Sequence, residues 1–176
     1  MSITKRLSRS LGLKNDDDAV SVPTQLGSSY DTRQYVVTVG LGIRPSHKTL
    51  LLDTGSDLTW VQCKPCNSSQ YYPQRLPLFD PSRSSTYKTI PCDSQECRAL
   101  AAGIDGNGCT SNWDCAFYVS GVYSSDALTL CAGAVVEDFH FGCGHDQEGP
   151  FDEYDGILGL GRLPESLVWQ TSGEHG

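Results

Sequence analysis

The stretch that decides the fold runs Leu50-Leu51-Leu52-Asp53-Thr54-Gly55-Ser56-Asp57, in which an apolar run leads into an acid and a glycine turn. Burying a lone carboxylate is costly unless neighbours donate hydrogen bonds to it or its pKa shifts. The hydroxyls of Thr54 and Ser56 can donate such bonds, and Gly55 lets the chain turn sharply with its N–H groups facing the acid. The pattern therefore predicts a strand that presents Asp53 in a tight turn.

The longer run Leu52-Asp53-Thr54-Gly55-Ser56-Asp57-Leu58-Thr59-Trp60-Val61-Gln62-Cys63 resembles the active-site signature of pepsin-like aspartic peptidases, in particular their plant nepenthesin-type branch. An isolated Asp-Thr-Gly would favour a structural carboxylate that caps its own turn. The match around it favours a catalytic Asp53 instead. The resemblance covers roughly residues 35–172. It implies a mostly β fold, the N-terminal lobe of the pepsin-like double-ψ β-barrel, with a Cys-rich surface insert and short helices.

The length of 176 residues fits one domain with a sizeable core. Because pepsin-like peptidases have two similar lobes with one catalytic Asp each, the resemblance implies that residues 31–176 form the N-terminal lobe and that the C-terminal lobe is absent. Residues 1–30 are basic, then acidic, and lack apolar periodicity. They are expected to be either a prosegment-like tail or a simple disordered terminus.

Charge and hydropathy limit which binding partners and which cellular compartment the sequence favours. Thirteen Lys and Arg against 21 Asp and Glu give a net charge of −8, which disfavours nucleic acid and anionic membranes. No segment approaches transmembrane length, and Met1–Leu13 has no apolar run that fits a signal peptide. The resemblance nevertheless implies a secreted or vacuolar (apoplastic) protein. Either the N-terminus is incomplete or the product stays inside the cell with reduced thiols.

Local patterns predict most of the strands. Tyr35–Gly42 is rich in β-branched and aromatic residues and ends in glycine, and Lys48–Leu52 follows it after a turn, so the two form a hairpin. Residues 65–108 are rich in Pro, Ser, Asn, Asp and Gly, which predicts a surface excursion pinned by cysteines. Further strands are predicted at 58–62, 115–119, 122–130, 135–142 and 155–161, and helices at 93–102 and 164–170.

The chain has eight cysteines, an even number that indicates disulfides. Their sequence leaves the pairing open, although short loops favour local bridges between Cys92 and Cys97 and between Cys109 and Cys115. The Cys63-Lys64-Pro65-Cys66 motif permits a zinc site, but no second C-x-x-C or His pair follows, so no metal is predicted. The candidates for disulfide formation are Cys63, Cys66, Cys92, Cys97, Cys109, Cys115, Cys131 and Cys143. Asn67 begins an N-glycosylation pattern, which matters if the chain is secreted.

Two further segments are candidates for the site. Asp155–Gly161 resembles the family's hydrophobic-hydrophobic-Gly strand, and the resemblance implies that it lies beside the catalytic turn. Ile157 and Leu158 can pack under that turn, while Gly159 allows close backbone approach. Trp60 is a tentative substrate-pocket residue, although an aromatic at such a position is more often part of the core.

Aspartic peptidases cleave peptide or protein substrates with a water held between two carboxylates that share a proton, and they need no cofactor. Asp53 would be one of the two. No second Asp-Thr-Gly or Asp-Ser-Gly occurs, and the other candidate acids lack the apolar strand and glycine turn: Asp57, Asp126, Asp146 and Asp155. The partner acid must come from the missing C-terminal lobe or from a second copy of this chain in a two-fold dimer.

The hairpin that closes over substrate in this family is also altered. Its Tyr-Gly-Asp-Gly-like turn is absent, and a hairpin tip is missing between Ser120 and Gly121. A shortened flap excludes water and positions substrate poorly, so the lobe alone is expected to be impaired or inactive. The alternatives are a non-catalytic relative that binds another enzyme, as xylanase inhibitors do, and a truncated product.

Overall fold

A computed structural model describes residues 22–65, 71–91, 93–98, 113–115, 119–147 and 151–172. The described chain is mostly β. Its strands are β1 (Gln25–Leu26), β2 (Tyr35–Leu41), β3 (Ser46–Asp53), β4 (Trp60–Gln62), β5 (Lys88–Thr89), β6 (Trp113–Cys115), β7 (Val119–Thr129), β8 (Val135–Gln147) and β9 (Gly156–Gly159). Its helices are short: three 3-10 turns at Gly27–Tyr30, Pro81–Arg83 and Cys131–Gly133, an α-helical turn that includes residues 95–98, and an α-helix at Leu167–Gln170.

Six of these strands close into a barrel in the order β2, β3, β9, β4, β8, β7 and back to β2. The closing contact is antiparallel and pairs Gly40 with Thr129 and Leu41 with Leu128. β1 extends the sheet from β2, whereas β5 and β6 pair with β7. The structure confirms the predicted fold class, a mostly β lobe with a barrel and few helical turns.

The strand that reaches the candidate acid has an unusual neighbour. β9 lies between β3 and β4, parallel to β3 and antiparallel to β4. The chain leaving β3 therefore passes around the end of β9 through residues 54–59 before it enters β4. This ψ-shaped connection places the turn after Asp53 directly against β9.

The barrel interior is filled by the apolar faces of the strands. Phe139, Phe141 and Cys143 are completely buried on β8, where alternate side chains point to one face. Burying one large aliphatic or aromatic side chain stabilises the fold by about 1.5–3 kcal/mol. The remaining members of this cluster are Val37, Val39, Leu41, Leu50, Val61, Cys63, Phe79, Leu128, Leu130, Val136, Leu158 and Leu167.

β1 pairs with β2, and the 3-10 turn at Gly27–Tyr30 follows β1 in the chain. The predicted segments differ from the structure in two places. Within the insert, Tyr72 and Phe79 are buried, so this segment contributes to the core as well as to the surface. The last helix begins at Leu167 after a Ser166 cap, whose Oγ accepts a hydrogen bond from the Trp169 N–H at 3.2 Å.

Of the helix predicted at 93–102, residues 95–98 are helical, and 99–102 lie outside the described residues. No helix in the described segments has the length and hydropathy needed to cross a bilayer.

One disulfide joins Cys63, next to β4, to Cys143 on β8, with the two Cα atoms 5.4 Å apart and 80 residues between the partners in sequence. This long-range bond is not one of the predicted local bridges. Because Cys63 is oxidised, it cannot supply the thiolate that the alternative zinc site requires. Cys97 is also disulfide-bonded. The predicted pairs Cys92–Cys97 and Cys109–Cys115, and the candidates Cys66 and Asn67, involve residues outside the described part of the chain.

Candidate active site

Asp53 is the last residue of β3, where a buried strand reaches the surface. Leu50 and Leu51 just before it are 1% and 5% exposed, whereas Asp53 is half-buried and Thr54 and Gly55 are exposed. The Gly55 N–H donates a hydrogen bond to Asp53 Oδ1 at 2.8 Å. The core thus fixes the strand, while the carboxylate stays within reach of a molecule at the surface.

The two hydroxyls beside Asp53 do not donate to its carboxylate in this structure. Thr54 is exposed, and Ser56 Oγ is buried without a hydrogen-bond partner among the described residues. A buried hydroxyl without a partner costs free energy. The turn therefore holds an unused donor within three residues of the acid.

β9 supports the turn through backbone hydrogen bonds. In the β3–β9 pairing Asp53 lies opposite Gly159, and the Leu160 N–H donates to the Asp53 carbonyl at 2.8 Å. The Gly161 N–H donates to the Ser56 carbonyl at 2.9 Å, and the Gly159 N–H donates to Thr59 Oγ1 at 3.1 Å. These bonds fix both ends of the turn that carries Asp53.

Gly159 has no room for a side chain. A Cβ atom there would lie 2.0 Å from the Asp57 carbonyl oxygen, and one on Gly161 would lie 2.1 Å from Asp57 Oδ1. Real Cβ atoms do not come this close to backbone. The glycines let β9 press against the turn, so they set how near the supporting strand can approach the acid.

Asp57 has a structural role at the far end of the turn. Its Oδ1 accepts a hydrogen bond from the Leu163 N–H at 2.8 Å, which ties the turn to the segment after β9. Glu165 in that segment is buried, and burial raises the pKa of its carboxyl, with a further contribution from the charge of Asp57. Burial and the nearby Asp57 therefore both disfavour ionisation of Glu165.

Trp60 lies in an aromatic cluster behind the turn. It is 3% exposed, and its ring packs edge-on against Tyr72 and Phe151 at centroid distances of 6.3 and 5.5 Å. Leu58, Tyr123 and Ile157 complete the cluster, whereas Leu158 points to the barrel core on the other face of β9. In this conformation Trp60 is a packing residue, and its role in a substrate pocket stays a prediction.

Two other candidate acids accept hydrogen bonds from backbone N–H groups and hydroxyl groups. Asp126 and Asp155 are each 1% exposed. Asp126 Oδ1 accepts from Ser84 Oγ at 3.0 Å, and Asp155 accepts from the Thr49 and Leu76 N–H groups. In the described segments no three His, Cys, Asp or Glu residues are grouped so as to hold a metal ion. Of Asp53, Asp126 and Asp155, only Asp53 is therefore within reach of a molecule at the surface.

The hairpin formed by β6 and β7 is short. In the pairing of β6 with β7, Cys115 lies opposite Val119 and Trp113 lies opposite Gly121. Only residues 116–118 connect the two strands. Those three residues lie outside the described chain. A connection of this length leaves little chain to cover a substrate.

The sequence does not predict the burial of two polar residues, Lys48 on β3 and Asp155 just before β9. Lys48 is 0% exposed although it lies on the strand that leads to Asp53, and Asp155 is 1% exposed. No local pattern marks either residue as buried, because a polar residue in or beside a strand is ordinarily assigned to the exposed face.

The ψ-shaped connection gives this chain the fold of one lobe of a pepsin-like aspartic peptidase. The sequence model of the family described as "Xylanase inhibitor N-terminal" matches residues 35–175. The chain belongs to this family.

Its curated relatives carry the name of aspartic proteases. An aspartyl protease family protein of Arabidopsis thaliana is 35% identical over 97% of this chain and 38% of its own length. Aspartyl protease AED1 of the same plant is 36% identical, covering 97% of this chain and 37% of the relative. Aspartic proteinase nepenthesin-1 of Nepenthes gracilis is 32% identical over 95% of this chain and 38% of the relative. The chain thus spans less than two fifths of the length of these relatives.

Proposed function

We propose that this chain is the Asp53-bearing lobe of an aspartic-type endopeptidase. The observation that carries the proposal is Asp53 itself, half-buried at the end of a core strand, with the Gly55 N–H on its Oδ1 and β9 beneath its turn. The names of the relatives support the same reaction class.

In this reaction Asp53 is one of two carboxylates that share a proton and hold the attacking water. The ionised member removes a proton from the water, while the protonated member donates its proton to the carbonyl oxygen of the scissile peptide bond. Two like charges a few ångströms apart cannot both ionise freely, so the pair titrates as a unit. The substrate is a peptide or protein, and the chemistry needs no cofactor.

The second carboxylate comes from a C-terminal lobe or from a second copy of this chain. Exposed apolar side chains near the site support such a partner. Leu26 and Tyr35 face each other in the β1–β2 pairing at 54% and 60% exposure, and β2 pairs with the strand that ends at Asp53. Leu163, whose N–H binds Asp57, is 39% exposed. A partner that covers these residues would bury apolar surface beside Asp53.

The compartment proposed for the protein is secreted or vacuolar. The Cys63–Cys143 disulfide supports it, because such bonds persist in oxidising environments.

A second candidate function is non-catalytic binding of another enzyme, in the manner of xylanase inhibitors. Three observations favour it: one catalytic-type Asp in the described site, the three-residue connection between β6 and β7, and the description of the matching family. Under this alternative, surface loops rather than Asp53 carry the activity.

The deciding experiment measures cleavage of a fluorogenic peptide by the 176-residue chain between pH 3 and pH 7. The lobe alone is expected to be impaired or inactive, and any acid-dependent cleavage that it shows is expected to fall by at least about 10⁴-fold in Asp53→Asn, because that change removes one carboxylate of the pair. Asp138→Asn is the matched control, since Asp138 is an exposed acid on β8 that already adopts positive φ, a conformation that Asn tolerates. Cleavage that survives in Asp53→Asn would contradict the proposal.

The same samples separate the remaining possibilities. A rate that rises with the square of the protein concentration would identify a second copy as the source of the second acid. An inactive wild-type chain that binds and inhibits a xylanase would favour the non-catalytic function.

A further inference from the structure

A buried acid and a buried lysine lie outside the proposed chemistry, at the opposite end of β3 from Asp53. Lys48 is 0% exposed and Asp155 is 1% exposed. Taking charged groups out of water is costly unless each finds hydrogen-bond partners. The hydrogen bonds of Lys48 and Asp155 show which parts of the chain these two buried groups hold together.

Asp155 holds both backbone groups of Thr49. Its Oδ2 accepts from the Thr49 N–H at 2.6 Å, and its own N–H donates to the Thr49 carbonyl at 2.8 Å. The regular β3–β9 pairing starts one residue later, with Leu50 opposite Gly156. Asp155 therefore extends this parallel pairing by one position with its side chain.

The other carboxylate oxygen of Asp155 reaches residues 71–79, here named the strap. Asp155 Oδ1 accepts from the Leu76 N–H at 3.3 Å. Lys48 Nζ donates to the Pro77 carbonyl at 2.7 Å, and to Ser46 Oγ and the His47 carbonyl at 2.9 and 3.1 Å. Two buried ionisable side chains thus attach neighbouring residues of the strap to β3.

A buried amide attaches the rest of the strap to β4. Gln62 is 0% exposed; its Oε1 accepts from the Tyr72 N–H, and its Nε2 donates to the Tyr72 carbonyl, both at 3.1 Å. The Phe79 N–H donates to the Gln62 carbonyl at 2.9 Å. The strap is therefore held mainly by side chains, and Asp155 is the one that also contacts the start of β9.

We propose that Asp155 is a positioning residue for Asp53, because its buried carboxyl group sets the register of β9 against β3 and ties both strands to the strap. A slip of one residue in this register would move Gly159 away from Asp53 and bring a side chain towards the Asp57 carbonyl. The inference rests on the proposed function in one respect only, that Asp53 is the reacting acid.

The groups that surround Asp155 determine the pKa of its carboxyl. The elements packed around it carry several titratable and charged groups. They are His47, Lys48 and Asp53 of β3, Tyr30 of the first 3-10 turn, Tyr71, Tyr72 and Arg75 of the strap, and Asp152, Glu153 and Tyr154 of the loop before β9. Arg75 and Glu153 pair with each other at the surface. Burial raises the pKa of Asp155 to about 6, against the opposing effects of the Thr49 N–H, the Lys48 charge and the Leu76 N–H.

The sign of the pH effect follows from this shift. If the strap opens and exposes Asp155 to water, the pKa of its carboxyl returns towards its ordinary 3.8. The closed state then binds the proton more tightly than the open state, so acid favours closure and a rise in pH through 6 favours opening. The equilibrium constant for opening of the strap therefore rises by up to about a hundredfold from pH values below 3.8 to pH values above 6.

The test is amide hydrogen exchange of the full chain by NMR at pH 4 and pH 7, corrected for intrinsic exchange rates. We expect the protection of the Leu76 amide to fall by up to about a hundredfold towards pH 7, and we expect this pH dependence to disappear in Asp155→Asn. The matched control is Asp126→Asn, an equally buried acid on β7 that binds Ser84 instead. Carbon-detected titration of Asp53 should shift in Asp155→Asn and stay unchanged in Asp126→Asn.

Protection of Leu76 that does not vary with pH in the wild-type chain would overturn the inference, and this measurement decides even if the variant does not fold. An unshifted Asp53 titration in a folded Asp155→Asn variant would overturn the positioning role. Neither readout needs peptide cleavage. A chain that cleaves nothing and inhibits a xylanase would contradict the proposed function, whereas the expected exchange and titration in that same chain would still show that Asp155 positions the turn of Asp53.

Discussion

Single glycines determine how closely the strands approach around Asp53. At Gly159 an added Cβ would meet the Asp57 carbonyl at 2.0 Å, and at Gly156 it would meet the Trp60 carbonyl at 2.1 Å. Both contacts are to backbone, which cannot rotate away as a side chain can. The space beneath the turn is therefore fixed by the absence of two side chains.

We predict that Gly159→Ala destabilises the chain by about 3 kcal/mol or more, because the added methyl group forces backbone apart in a packed region. Gly133→Ala is the matched control. Gly133 has φ +78° and nothing within 4 Å of an added Cβ, so it should cost only about 1 kcal/mol from backbone strain. Urea unfolding followed by tryptophan fluorescence measures both. Equal costs for the two variants would show that the close approach of β9 does not hold in solution.

The residues that sequence reasoning identified are those with a local signal. Asp53 could be predicted because an apolar strand and a glycine turn adjoin it in sequence. Gln62, Lys48 and Asp155 could not, because a polar residue in a strand is ordinarily assigned to the exposed face. These three side chains contact residues 72–79, which lie far from β3 or from β9 in the sequence. No local sequence pattern therefore reveals these contacts.

At the scale of elements, β2 and β3 formed close to their predicted bounds, because β-branched and apolar runs of strand length carry the information locally. β7 and β8 are longer than predicted, and β7 has register shifts near Gly121 and Leu128. The placement of β9 between β3 and β4 and the β2–β7 closure depend on contacts across the whole chain. Such contacts are invisible to periodicity, which is why the family resemblance rather than the pattern supplied them.

The long-range disulfide is the element-scale feature with the largest expected effect. It links the residue after β4 to β8 across 80 residues of sequence, and a loop of that length restricts the unfolded chain strongly. We predict that replacing Cys63 and Cys143 together by Ala lowers the free energy of unfolding by about 4 kcal/mol. Urea unfolding under non-reducing conditions is the measurement.

A peptide map without reductant serves as the control, since it should show the Cys63 and Cys143 peptides linked in the wild-type chain. A linked map together with a loss below about 1 kcal/mol would mean that the barrel, rather than the bond, holds β4 against β8.

At the scale of the whole molecule, buried acids give the fold a dependence on pH. Because the pKa of Asp155 is about 6 when folded and near 3.8 when unfolded, the folded chain takes up a proton as the pH falls through 6. The stability from this proton is complete below pH 3.8 and is lost as the pH rises through 6. The raised pKa of Glu165 acts in the same direction, whereas the lowered pKa of Asp138 acts in the opposite one.

We predict that the difference in unfolding free energy between wild type and Asp155→Asn is larger at pH 4 than at pH 7 by about 2 kcal/mol. The other titrating groups are common to both proteins, so their effects cancel in this difference. Urea unfolding at the two pH values provides the four free energies. A difference that is constant with pH would mean that Asp155 titrates alike in the folded and unfolded chains.

The insertion of β9 between β3 and β4 also fixes an order of events during synthesis. Asp53 leaves the ribosome about a hundred residues before Gly156–Gly159, the segment that must slide in beside it. Until that segment is made, the strand edges of β3 and β4 that pair with β9 have no partner. The turn after Asp53 then lacks the strand that supports it. A nascent or prematurely terminated product that stops before residue 156 would therefore carry the acid in its sequence without the support that gives it a place.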